Sequence, residues 1–121
     1  MARLASTWLP PLLWMAVIFA LSAQHGGGHL APAEVVLRKL AHVTEYFVLT
    51  ALLLRALRRS GLTPAVLAAT GVALAYAASD EWHQSFVPGR TATPRDVAID
   101  GLGIALAAIV VSRTRLLPRT A

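Results

Sequence analysis

Three groups of ionisable residues carry the chemistry open to this chain. In the first, Lys39, His42 and Tyr46 are spaced i, i+3, i+7 and share one helical face, with Glu45 about a third of a turn away. In the second, Tyr76, Asp80 and Gln84 fall at i, i+4, i+8, with Glu81 and His83 beside them and Arg90 a short way on. In the third, Asp96, Asp100 and Gly103 form one stripe, and the glycine permits a neighbouring helix to come close.

Histidines next to carboxylates suit proton transfer, whereas lysine and arginine suit the binding of a phosphate or another anion. On that basis His42, Glu45, Asp80, Glu81 and His83 are the candidates for catalysis. Lys39, Tyr46, Gln84, Arg90, Asp96 and Asp100 are the candidates for ligand binding. In an enzyme, His83 or Glu81 would be the first choice of general base, with Tyr46 or Lys39 stabilising developing negative charge. A metal centre built from His42, His83, Asp80, Glu81 and Asp100 ranks low, because no compact HExxH-type pair is present and Lys39 and Arg90 would have to be kept off the ion. No metal or other cofactor is therefore expected. Taken singly, each of these groups also suits an interhelical contact, and helix capping accounts for Asp96. Glu34, Arg38 and Arg95 read as solvated loop charges, and His25 and His29 as exposed loop residues. A structural contact needs two or three polar groups, however, and about ten gather here, an excess that marks a site.

The elements that position these residues read as helices over about 4–24, 34–57, 62–86 and 94–112. Each is dominated by Leu, Val, Ile and Ala and is bounded by a polar or glycine-rich break. Pro10 and Pro11 fall near the start of the first, where missing donors cost least. The run Gln24 to His29 is a loop, Thr63-Pro64 reads as an N-cap with proline at the first helical position, and Pro88-Gly89 closes an interfacial extension of the third helix. Thr93 to Asp96 resembles a capping box.

The class follows from composition. Of 121 residues, 56% are hydrophobic and 14% charged, too apolar a balance for a soluble domain this small, and the charges cluster between long uncharged runs. The expected fold is an all-α membrane protein, a bundle of four transmembrane helices in one domain over residues 1–121. The net charge of +5 comes from arginines flanking apolar runs, which membrane topology explains without nucleic acid. The absence of cysteine excludes disulfides and thiolate chemistry.

Four crossings place Arg3, Arg55, Arg58, Arg59, Arg113, Arg115 and Arg119 on the side of the termini, with no acidic residue among them. That side is assigned as cytoplasmic. All six carboxylates fall on the other side, so the polar site faces outward. Arg3, the apolar run and the small residues from Ala20 to Ala23 also fit a cleavable signal peptide loosely, which would leave three helices.

At these residues the chain resembles the VanZ-like family of bacterial membrane proteins, named for a glycopeptide-resistance accessory protein. The run from Lys39 to Tyr46 fits the family's Lys-x-x-His-x-x-x-Tyr signature. The run from Asp80 to Arg90 fits the second signature nearly in full, and Asp96, Asp100 and Gly103 fit the third, with Asp100 standing where many members carry Asn. The resemblance covers nearly the whole chain. It implies a bacterial plasma-membrane protein with four helices and involvement in low-level resistance to teicoplanin-type antibiotics, but no defined chemistry.

The leading functional expectation is a protein that binds or modifies an anionic lipid or cell-envelope component at the outer leaflet, with membrane lipids as partners. A lipid or small-solute translocator working as an oligomer, and a non-catalytic structural or partner-binding membrane protein, are the alternatives.

Overall fold

The computed structural model describes residues 2–23, 31–87 and 94–113, and among them all the regular secondary structure is helical. The four helices are α1 (Ala2–Ser22), α2 (Pro32–Arg59), α3 (Ala65–Gln84) and α4 (Pro94–Arg113). The loop from Gln24 to His29, the turn at Pro88-Gly89 and the Thr93 end of the expected capping box lie outside the described residues.

Local chemistry explains most of the boundaries. Pro32 opens α2 at a position where its missing N–H costs nothing, Glu34 sits in the first turn, and Arg58 and Arg59 close the last turn, each on the favourable end of the helix dipole. The helix stops because Gly61 adopts the left-handed conformation (φ 70°). Its N–H bonds the Arg58 carbonyl at 3.1 Å and that of Leu62 bonds Leu57 at 3.0 Å, the paired closure that glycine favours after a helix. The Thr63-Pro64 expectation is off by one residue: Pro64 itself is the extended N-cap of α3, without a side-chain cap, and the helix begins at Ala65. After Gln84 the chain tightens into i→i+3 turns, with Phe86 N–H on the His83 carbonyl and Val87 N–H on that of Gln84, in place of a longer helix.

The prolines of α1 correct a second expectation. The helix begins at Ala2, so Pro10 and Pro11 lie inside it, past the first turn where a missing donor is free. Pro10 has no N–H for the Ser6 carbonyl. That carbonyl instead accepts from the Arg55 guanidinium at 3.1 Å, so a charge on α2 satisfies the group that the proline leaves open.

α2 is the central element and packs against each of the other three; α4 lies closest to it, α1 rests on α2 and α3, and no close approach of α1 to α4 occurs among the described residues. The core combines Ile18, Leu49, Leu53, Leu54 and Ile104 with the alanine row Ala69, Ala73 and Ala77 on α3. Gly103 makes the tightest crossing. A Cβ built there would overlap the Val43 carbonyl oxygen and lie 3.0 Å from its carbon, so the close approach expected of this glycine is present and only glycine fits.

The outer surface is more apolar than the seams. Leu4, Leu9, Leu12 and Leu13 on α1, Val36, Leu37 and Leu40 on α2, Leu67 and Leu74 on α3, and Leu102, Leu106 and Ile109 on α4 are all exposed. By length and composition α1 and α2 qualify to cross a membrane. α1 has 21 residues and is about 32 Å long at about 1.5 Å per residue. α3 and α4 are as long as a span requires, but Asp80 and Glu81 in one and Asp96 and Asp100 in the other lower their apolar content.

Candidate functional site

The helices alternate in direction, so the end of α1, the start of α2, the end of α3 and the start of α4 meet at one pole of the bundle. The polar residues converge there in two linked groups.

The first group is centred on Asp80, a carboxylate 3% exposed on α3. Its Oδ2 accepts from Ser22 Oγ at 2.9 Å, from Tyr46 Oη at 3.2 Å and from Gln84 Nε2 at 3.3 Å. Gln84 Nε2 also donates to Ser22 Oγ at 3.2 Å, so the serine hydroxyl both gives and receives. Three buried side chains, one each from α1, α2 and α3, thus close on one carboxylate oxygen. Asp80 Oδ1 is buried and makes no hydrogen bond among the described residues. Neutral donors hold this acid. Lys39 is exposed, and Arg90 lies outside the described residues.

The second group pairs α2 with α4. His42 Nδ1 lies 3.2 Å from Asp100 Oδ1, an ion-pair distance without hydrogen-bond alignment, and 3.8 Å from Glu45 Oε2. Asp100 is 1% exposed, whereas His42 keeps a partly open edge. Because His42 and Tyr46 are one helical turn apart on α2, they link the Asp100 pair to the Asp80 group. A buried carboxylate behind one nitrogen of a half-open imidazole is an arrangement that orients the ring and leaves its other nitrogen to exchange a proton.

His83 faces a different volume. Its ring stacks on Phe19 of α1, with centroids 4.2 Å apart and planes 19° from parallel. Its Nδ1 is buried without a hydrogen bond. Phe19, Tyr76, Asp80, Trp82, His83 and Phe86 border a groove of about 300 Å³ between α1 and α3. Trp82 and Phe86 meet edge to face at 5.2 Å and are largely exposed. The groove is therefore aromatic on its walls, with Asp80 among the residues that border it.

Of the candidates read from sequence, Tyr46, Asp80 and Gln84 share one hydrogen-bonded group, and His42, Glu45 and Asp100 share the other. His83 opens on the groove. Glu81 is half-buried one residue after Asp80, and Asp96 lies in the first turn of α4. Two members of the site were missed, Ser22 and Phe19. Ser22 had a signal: Thr7, Pro11, Ile18 and Ser22 are the buried residues of α1, and they fall at intervals of three and four or their sums, the inward stripe of a helix.

Among the described residues, besides the Ser22 bonds and the Arg55 bond to the Ser6 carbonyl, three more pin α1 to the rest. Trp14 Nε1 donates to the Glu45 carbonyl at 2.8 Å, Tyr76 Oη to the Met15 carbonyl, and Arg59 Nη2 to Ser6 Oγ at 3.3 Å. α1 is thus a wall of the site as well as its anchor.

The apolar exterior, two helices long and apolar enough to span, and a polar group buried at one pole together define the class as a helical membrane protein. The family follows from a model described as VanZ/LLP1, which matches residues 7–116; the chain belongs to that family. No curated protein and no solved structure gives a significant match.

Proposed function

We propose that this chain is a four-span protein of the bacterial plasma membrane, and that its polar pole faces outward to bind or modify a lipid or lipid-linked component of the cell envelope. The observation that carries the reading is the groove between α1 and α3, whose aromatic walls lead to the buried Asp80 group. Aromatic and apolar walls suit an acyl or prenyl chain.

Four spans are supported by the exterior of α3 and α4, where Leu67, Leu74, Leu102, Leu106 and Ile109 point outward while alanines and glycine fill the seams. In water that arrangement would expose the larger apolar groups, whereas in lipid they are solvated and close backbone packing drives association. The cytoplasmic assignment of the arginine-rich pole rests on charge bias. The anionic character of the ligand rests on Lys39, exposed near the start of α2, and on Arg90. His42, beside Asp100, is the proton-handling group of this reading, and Glu45 adds a second carboxylate 3.8 Å from it. Membership of the VanZ/LLP1 family supports a link to teicoplanin-type antibiotic resistance.

The test is photolabelling. The full chain, in native membranes, is exposed to phosphatidylglycerol bearing a photoreactive group in its acyl chain, and labelled peptides are mapped. Label is expected on residues 76–86 and is expected to fall when Phe19→Trp fills the groove. Label spread evenly over all four helices, or unaffected by Phe19→Trp, would sink the reading.

A further inference from the structure

The opposite pole holds a second concave surface that the polar site does not use. Arg3, Leu4, Thr7 and Trp8 at the start of α1, with Arg59 and Ser60 at the end of α2, border a groove of about 230 Å³. Its walls are built as a unit. Arg55 and Arg59 both reach the Ser6 position, at its carbonyl and its hydroxyl, and Ser6 and Thr7 in turn donate to the Arg3 carbonyl at 3.1 and 2.7 Å.

Charge balance at this pole is one-sided. Arg3, Arg55, Arg58 and Arg59 gather there, and none forms an ion pair with a carboxylate among the described residues. The carboxylates of the chain, Glu34, Glu45, Asp80, Glu81, Asp96 and Asp100, lie on the parts of α2, α3 and α4 that form the other pole. Guanidinium groups are matched in geometry to phosphate oxygens, which they bind through paired N–H donors. A half-buried tryptophan beside an exposed leucine adds the amphipathic wall found where protein meets the headgroup layer.

We propose that this groove is a binding site for an anionic phospholipid, with the phosphate between Arg3 and Arg59 and the first part of the acyl chains along Leu4 and Trp8. The proposal rests on the chain lying in a membrane and is independent of the Asp80 site. The lipid completes the groove by supplying the negative charge that the protein leaves out at this pole, and it ties the first turn of α1 to the last turn of α2.

The full chain, purified and delipidated in neutral detergent, is titrated with phosphatidylglycerol, phosphatidylcholine or soluble glycerol 3-phosphate, and thermal unfolding is followed. Phosphatidylglycerol is expected to raise the midpoint at concentrations where the other two do not. Arg3→Gln with Arg59→Gln should raise the concentration required about thirtyfold, the loss of two basic contacts near an anionic headgroup. Ser60→Glu, which leaves both arginines in place and sets a carboxylate on the wall, should have the same direction of effect and serves if the double variant folds poorly. Phe19→Trp, at the other site, should leave the phosphatidylglycerol effect in place. The proposal fails if phosphatidylglycerol acts equally on the wild type and on these arginine and serine variants, or if glycerol 3-phosphate acts as well as the lipid.

Discussion

Ser22 Oγ donates to Asp80 Oδ2 at 2.9 Å, joining the last turn of α1 to the end of α3 across 58 residues of sequence. Because Asp80 is buried and its partners are neutral, each of those partners bears on whether the carboxylate is tolerated there. Ser22→Ala should lower stability by about 1–3 kcal/mol, the worth of one hydrogen bond to a buried carboxylate. Thermal unfolding in detergent measures it. The effect should shrink in an Asp80→Asn background, and simple additivity of the two changes would mean that the residues are not coupled.

Gly103 and Gly71 make a paired test of helix packing. At Gly103 a methyl group meets the Val43 backbone, which cannot move aside as a flexible side chain would, so Gly103→Ala should cost about 1–3 kcal/mol or more and reduce folded yield. At Gly71 a Cβ meets nothing within 4 Å, and Gly71→Ala should be neutral or stabilise by about 0.5–1 kcal/mol through helix propensity. Equal behaviour of the two variants would contradict the α2–α4 crossing.

The pair His42 and Asp100 separates a proton-handling role from a structural one. Asp100→Asn keeps the shape of the side chain and removes its charge; under the proposed function it should leave the protein folded at normal yield while reducing the teicoplanin-type resistance of an overproducing strain. His42→Gln should do the same, and the double variant should be no worse than either single one. A double variant with the summed loss would place the two residues in separate functions.

The absence of native cysteine allows topology to be read directly from single-cysteine variants. Ser60→Cys and Ala31→Cys, both exposed and at opposite poles, should react with a membrane-impermeant thiol reagent from opposite sides of the membrane. Labelling of both from the outside would overturn the four-span arrangement.

Much of the site is legible in the spacing of residues along single helices. Tyr76, Asp80 and Gln84 at i, i+4, i+8 do lie along one stripe, and the Asp80–Gln84 bond is a direct result of that spacing. The close approach at Gly103 follows from its position on the Asp96–Asp100 stripe. What spacing does not carry is the rotation of one helix against another. That rotation adds Ser22 and Tyr46 to the partners of Asp80, and it sets Asp100, not Asp80, against His42. The interior prolines of α1 were misplaced for a related reason: the Arg55 side chain that satisfies the carbonyl they leave open arrives from another helix.

The alanine row of α3 and Gly103 of α4 have a consequence for how this sequence can drift over time. In a soluble protein the outside varies freely and the inside resists change. Here the outward leucines are interchangeable with any apolar residue and intolerant mainly of charge, while Ala69, Ala73, Ala77 and Gly103 are constrained by bulk alone. Variation in this chain should therefore be recorded as exchange among large apolar residues on its rim and as stillness among its smallest residues within.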